Sequence, residues 1–132
     1  MAVVIANPLL KPTITVPAVL HLPADNGAYV AHKFEVIFRR MKTDERDDIN
    51  ERAGTGKIKQ TQMLDEIVVG WGGMLDENGN PVPYTHAERV ATNIAWPGTE
   101  EAMAVAWYDS VYFTQREAAR KNSLAQSGTT TG

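Results

Sequence analysis

A few groups of residues have types and spacing that chemistry could use. Asp76, Asn78 and Asn80 alternate like the first ligands of a calcium loop. The sixth position of such a loop would be Pro81, where glycine is required, and the twelfth would be Ala87, where a bidentate acid is required. The stretch therefore reads as a turn. His21, His32 and His86 are the only histidines, and strand parity sends His21 and His32 to opposite faces, so they do not converge. Asp44, Glu45, Asp47 and Asp48 are crowded, but nothing apolar flanks them to raise a pKa, and they read as a solvated helix face. Gly70-Trp71-Gly72-Gly73 is not followed by the Lys and Ser/Thr of a phosphate loop. With no cysteine, disulfides, thiolate ligands and cysteine nucleophiles are all excluded. The expectation is a protein without catalytic residues, metal or cofactor.

Composition narrows the partners. A net charge of −3 argues against a nucleic-acid surface, and Arg39-Arg40 and Arg120-Lys121 are basic spots too small for groove binding. No apolar run approaches the roughly 20 residues of a membrane helix, and the start lacks the pattern of a signal peptide. A hydrophobic share of 43 % over 132 residues suits one soluble, cytoplasmic domain with a core of its own.

The elements that must carry these residues follow from periodicity. Residues 1–13, with Pro8 and Pro12, read as an irregular arm. Ile14, Val16, Ala18, Leu20 and Leu22 alternate with polar positions, and so do Val30, His32, Phe34, Val36 and Phe38, which predicts two strands in a hairpin over 14–41. A two-residue Asn26-Gly27 loop would set Leu20 against Lys33. A three-residue loop, Asp25-Asn26-Gly27, pairs Ala24 with Ala28 and every even position with an even one, putting His32 opposite Leu20 on the buried face. Gly27 then occupies the left-handed position such a loop requires. Pro17 cannot donate to a ladder, so its strand should lie at an edge or have that side free.

Helices are expected across 43–122. The first, from a Thr43 cap to Gly54 with Ile49 as its one large apolar residue, reads as a short, mostly solvated helix or a mobile loop with helical tendency. The second runs from Lys57 to Val69. Thr85 and Glu88 have capping-box spacing and open a third, with Ala87, Val90, Ala91 and Ile94 on one face. The fourth follows Pro97-Gly98-Thr99, with Ala104, Trp107, Tyr108 and Val111 as its stripe. Residues 123–132 are small and polar, in keeping with a disordered tail. The fold class is α+β: an antiparallel hairpin followed by about four helices, mostly helical, in a single domain over 14–122.

The chain is organised around Asp65 to Val90. Leu64, Ile67, Val68 and Trp71 lie at i, i+3, i+4 and i+7, so that a helical face ends at the indole. Gly70 and Gly72 bracket it, Asp76 to Pro81 forms a turn with Gly79, and Thr85 starts the next helix. Gly70, Trp71, Gly72, Asp76, Gly79 and Thr85 are thus the candidate structural pivot. The run from Ile67 through Gly70-Trp71, Asp76-Glu-Asn-Gly79 and Pro81-Val-Pro83 to Thr85 resembles tail assembly chaperones of long-tailed (siphophage-type) bacteriophages. There a helix ends in Gly-Trp, then come an Asp-x-x-Gly turn, a proline-flanked extended piece and a capped helix. The likeness covers about the middle third of the chain.

That resemblance implies a non-enzymatic protein of the host cytoplasm that binds the tape measure protein, keeps it soluble during tail assembly, and is absent from the mature virion. It also implies a frameshifted longer form recruiting the major tail (tube) protein, with the tail from Ser123 as linker. The alternative is a structural tail or connector component retained in the virion. Aromatic residues wrap more than half of the last helix, more than a small core needs, which singles out Tyr108, Tyr112 and Phe113 as partner-binding residues. Self-association is expected through the same helix, the edge strand and the arm.

Overall fold

The computed structural model describes residues 12–112. Residues 1–11 of the arm expected over 1–13, Phe113 and the polar tail lie outside the described residues. Strands β1 (Thr13–Pro23) and β2 (Tyr29–Arg39) are followed by α1 (Thr43–Gly54), α2 (Gln60–Ile67), β3 (Val68–Gly72), α3 (His86–Ala95) and α4 (Thr99–Tyr112). The strands form one antiparallel sheet in the order β1-β2-β3. With four helices beside it, the fold is α+β, as the patterning predicts.

The hairpin register is the one that parity demands. Leu22 faces Val30, Leu20 faces His32, Ala18 faces Phe34 and Val16 faces Val36. A single tight turn over Asp25–Gly27 closes it, with the Ala24 amide donating to the Ala28 carbonyl at 2.8 Å. Gly27 has φ of 75°, and Asn26 is also left-handed at 62°.

The same hydrogen bond sets the polarity of the sheet edge. Ala24–Ala28 is a hydrogen-bonded pair, and so is Pro12–Arg40, whose amide donates to the Pro12 carbonyl at 2.9 Å. Even-numbered residues of β1 therefore turn their backbone groups toward β2, and odd-numbered ones turn theirs outward. Pro17 and Pro23 are both odd. Each sits where its missing N–H costs the ladder nothing and removes a donor from the open edge.

The even face of the hairpin forms the core with the helices. Ala18, Leu20, Phe34, Val36 and Phe38 pack against Met63, Leu64 and Ile67 of α2 and Met103, Ala104 and Trp107 of α4. Ile49 is the single buried residue of α1. The odd face is solvated, as one side of an antiparallel sheet can be. His32 and Val30 depart from expectation: both are exposed, because the hairpin tip overhangs the helices instead of lying over them.

Other corrections concern the helices. The second does not run from Lys57 to Val69; it starts at Gln60 and stops at Ile67, where the β-branched pair Val68-Val69 and Gly70 take the chain into β3. Trp71 therefore stands on a strand, opposite Val36, and not at a helix end. Thr43 is the first helical residue of α1 and its side chain makes no cap; Asp44 Oδ1 accepts from the Glu45 amide instead.

Candidate functional site

The central stretch is built as a folded-back loop. Trp71 is buried, and its Nε1 donates to the Val82 carbonyl at 2.8 Å. The Tyr84 ring meets the indole edge-on, with centroids 5.2 Å apart. Gly70, also buried, passes so close to β2 that a methyl group there would stand 3.2 Å from Ile37 Cδ1. Gly72 ends β3 opposite Glu35.

Between the two tethers, Asp76 organises the turn. Its Oδ1 accepts from the Asn78 and Asn80 amides, both at 2.9 Å, and its carbonyl accepts from Gly79 at 3.0 Å. The carboxylate is thus engaged by backbone donors within its own loop. Leu75 and Pro81 bridge across the base, and the Val82 amide donates to the Met74 carbonyl. Thr85 then caps α3, its Oγ1 accepting from the Glu88 amide at 3.0 Å. All six pivot residues lie in this one unit.

The surprise is α3. Its strong amphipathic pattern leads one to expect Ala87, Val90, Ala91 and Ile94 to pack inward. Instead Arg89 is its one fully buried residue, at 0 % exposure, and Ile94 is 75 % exposed. Ala87 and Ala91 are also exposed, and Val90 is half-buried.

Arg89 enters the protein between α2 and α4, and acceptors meet each of its nitrogens. Nε donates to Glu100 Oε2 at 2.9 Å and Nη1 to the Tyr84 hydroxyl at 2.8 Å. Nη2 donates to Asp65 Oδ1 at 2.7 Å and to the Thr61 carbonyl at 3.0 Å. Thr61 Oγ1 in turn donates to Glu100 Oε2 at 2.9 Å.

His86 completes the rim, with Nδ1 2.5 Å from Asp65 Oδ1. A carboxylate can only accept, so that nitrogen carries the proton. Desolvation alone would raise the Asp65 pKa. The hydrogen bonds from Arg89 and His86 outweigh it and hold the carboxyl below its ordinary value. For Arg89, desolvation is likewise outweighed, by Asp65, Tyr84 and Glu100, and its pKa is raised.

This cluster has the residue types of an acid–base site, but the groups spend their valences on one another. Among the described residues no buried side-chain polar atom lacks a partner, and no three metal-ligating side chains converge. Sequence reasoning missed Arg89, Asp65, Thr61 and Glu100 as a unit. Its one available signal was an arginine interrupting the apolar run of α3.

A cleft of about 470 Å3 opens beside α3, under the overhanging hairpin tip. Leu20, Leu22, Phe34, Met74, Leu75 and Trp96 line it. Leu75 is 60 % exposed and Trp96 55 %, so the mouth of the cleft presents apolar surface to solvent.

The predicted partner-binding rings lie elsewhere, at the end of α4. Tyr108 is half-buried, edge-on to Trp107 and stacked on Tyr112 at 5.9 Å, with its hydroxyl 3.8 Å from Met63 Sδ. The Arg46 guanidinium lies 4.9 Å above the Tyr112 ring. Tyr108 is thus held within its own chain, Tyr112 keeps 38 % of its surface exposed, and Phe113 falls outside the described residues. Among the described residues no helix is long and apolar enough to cross a membrane. No family model, no curated protein and no solved structure matches the chain.

Proposed function

We propose that this protein is a phage tail assembly chaperone, which binds the tape measure protein in the host cytoplasm and keeps it soluble without catalysis. The observation that carries the reading is the outward apolar face of α3, exposed on the same molecule as the apolar cleft under the hairpin tip. A helix anchored by a buried arginine while its apolar side faces solvent suits a protein that covers a partner's apolar surface. The Gly-Trp, Asp-x-x-Gly and proline-flanked sequence from Ile67 to Thr85 supports the family named by resemblance, because that unit positions α3. Recruitment of the tube protein by a longer form belongs to the same proposal.

Co-expression with the tape measure protein of the same phage tests it. Soluble tape measure protein should depend on this chain, and Ile94→Ser with Trp96→Ser should abolish capture while leaving the melting curve unchanged, since both side chains are exposed. Purified particles should lack the protein. Its presence there would mark it instead as a structural tail component, and insolubility of the tape measure protein despite co-expression would defeat the chaperone reading.

A further inference from the structure

A second groove adjoins the cleft at Leu20 and runs between the edge of β1, unpaired among the described residues, and the outer flank of α4. It measures about 420 Å3. Ala18 and Leu20 from the strand and Ala102 and Ala106 from the helix form its floor. The small residues leave room for a neighbour to approach closely.

Its electrostatics have one sign. Glu101, Val105 and Asp109 line the α4 wall at i, i+4 and i+8, placing the carboxylates about 12 Å apart along the axis with Val105 between them. All three are exposed, and neither acid has a hydrogen-bond or ion-pair partner among the described residues. The opposite wall is also rich in acceptors. Odd-numbered residues of β1 direct their backbone groups outward, so Pro17, Val19 and His21 present three carbonyls but only two amides. His21 is the one titratable group on that wall.

The same edge decides between a strand and a helix as occupant. An added strand would find donors at Val19 and His21 but none at Pro17 or Pro23, so its ladder would be interrupted on both sides. A helix needs no ladder. An apolar ridge flanked by two charges at i, i+4 and i+8 is complementary to a helix carrying basic, apolar and basic residues at that same spacing.

We infer that the β1–α4 groove is a docking site for a basic amphipathic helix of a partner protein. This site is separate from the outward face of α3 and does not rest on the chaperone reading. The occupant's cations meet Glu101, Asp109 and the β1 carbonyls, and its apolar residue packs on Val105 over the alanine floor.

The test uses a labelled, alanine-rich peptide, helical in isolation, with arginine at its fifth and thirteenth positions and leucine at its ninth. A matched peptide replaces both arginines with glutamate. Fluorescence anisotropy against the whole protein should show the arginine peptide binding more tightly by about tenfold or more, two attractive contacts becoming two repulsive ones. The Glu101→Lys, Asp109→Lys double variant should invert the preference, and Val105→Ser should weaken the arginine peptide without inverting it. Val105 is exposed, so the Val105→Ser melt should match the parent, whereas the double variant removes an acid from the first turn of α4 and should melt slightly lower while remaining cooperatively folded. Equal binding of the two peptides, binding of neither, or an unchanged preference in the double variant would overturn the proposal. Sedimentation of the protein alone adds one more outcome. Self-association that the double variant abolishes would assign the groove to a second copy of the chain and likewise overturn it.

Discussion

Replacing Arg89 with methionine probes the centre of the molecule. Methionine keeps much of the aliphatic volume, so the change deletes charge and hydrogen bonds more than packing. What it strands is Glu100, whose side chain is 11 % exposed and whose Oε2 would keep only Thr61 Oγ1 as a donor. Asp65 loses its 2.7 Å contact but is 39 % exposed and can rehydrate. Removing one partner of a buried ion pair costs about 3–5 kcal/mol, and the burial of Glu100 supports a value in that range for Arg89→Met. Glu100→Leu removes the stranded charge, so the double variant should recover part of the loss, with a coupling of about 1–3 kcal/mol. Urea unfolding at pH 7, followed by tryptophan fluorescence, gives all four corners of the cycle. A cost below about 1 kcal/mol for Arg89→Met, or strict additivity, would show that α3 is held by something other than this network.

The remaining predictions address the tethers and the turn. Trp71→Ala should destabilise by about 3–5 kcal/mol in the same assay, whereas Trp71→Phe isolates the Nε1 bond to Val82 with a smaller loss. Gly27→Ala should cost about 1–2 kcal/mol despite open space around the site, because φ of 75° is left-handed; an unchanged melt would mean the turn can rearrange. Asp65 sets a pH dependence. Its folded pKa is depressed, so its contribution is complete above the ordinary carboxylate pKa of about 4 and is lost as pH falls through the lower folded value. Asp65→Asn should therefore be less stable at pH 7, and the gap should close in acid; a constant gap from pH 7 to pH 2 would count against the linkage.

What the sequence made legible depended on which rule had competitors. The hairpin register could be read because only one loop length matched Leu20, Ala18 and Val16 with apolar partners, and Gly27 stood where that loop needed it. Strand β3 could not. Leu64, Ile67, Val68 and Trp71 satisfy helical spacing as well as they fit a helix that stops at Ile67 and a strand that follows. Only pairing with β2 decides, and local periodicity does not report that. For α3 the pattern correctly marked an apolar face, but periodicity is silent on whether the chain itself covers that face. The Arg89 unit escaped because its partners lie 28, 24 and 11 positions away, brought together by the packing of α2 and α4.

The attachment of α3 has a thermodynamic corollary. Most elements of a small domain are held by buried apolar surface, so releasing them raises the heat capacity and steepens the response to denaturant. Detaching α3 uncovers chiefly a guanidinium, two carboxylates and hydroxyls, because its apolar side is already wet. Its opening should thus carry a small heat-capacity change and scarcely respond to urea. Amide exchange in α3 would then proceed by a local, denaturant-insensitive route, while β2 and α4 exchange only with global unfolding.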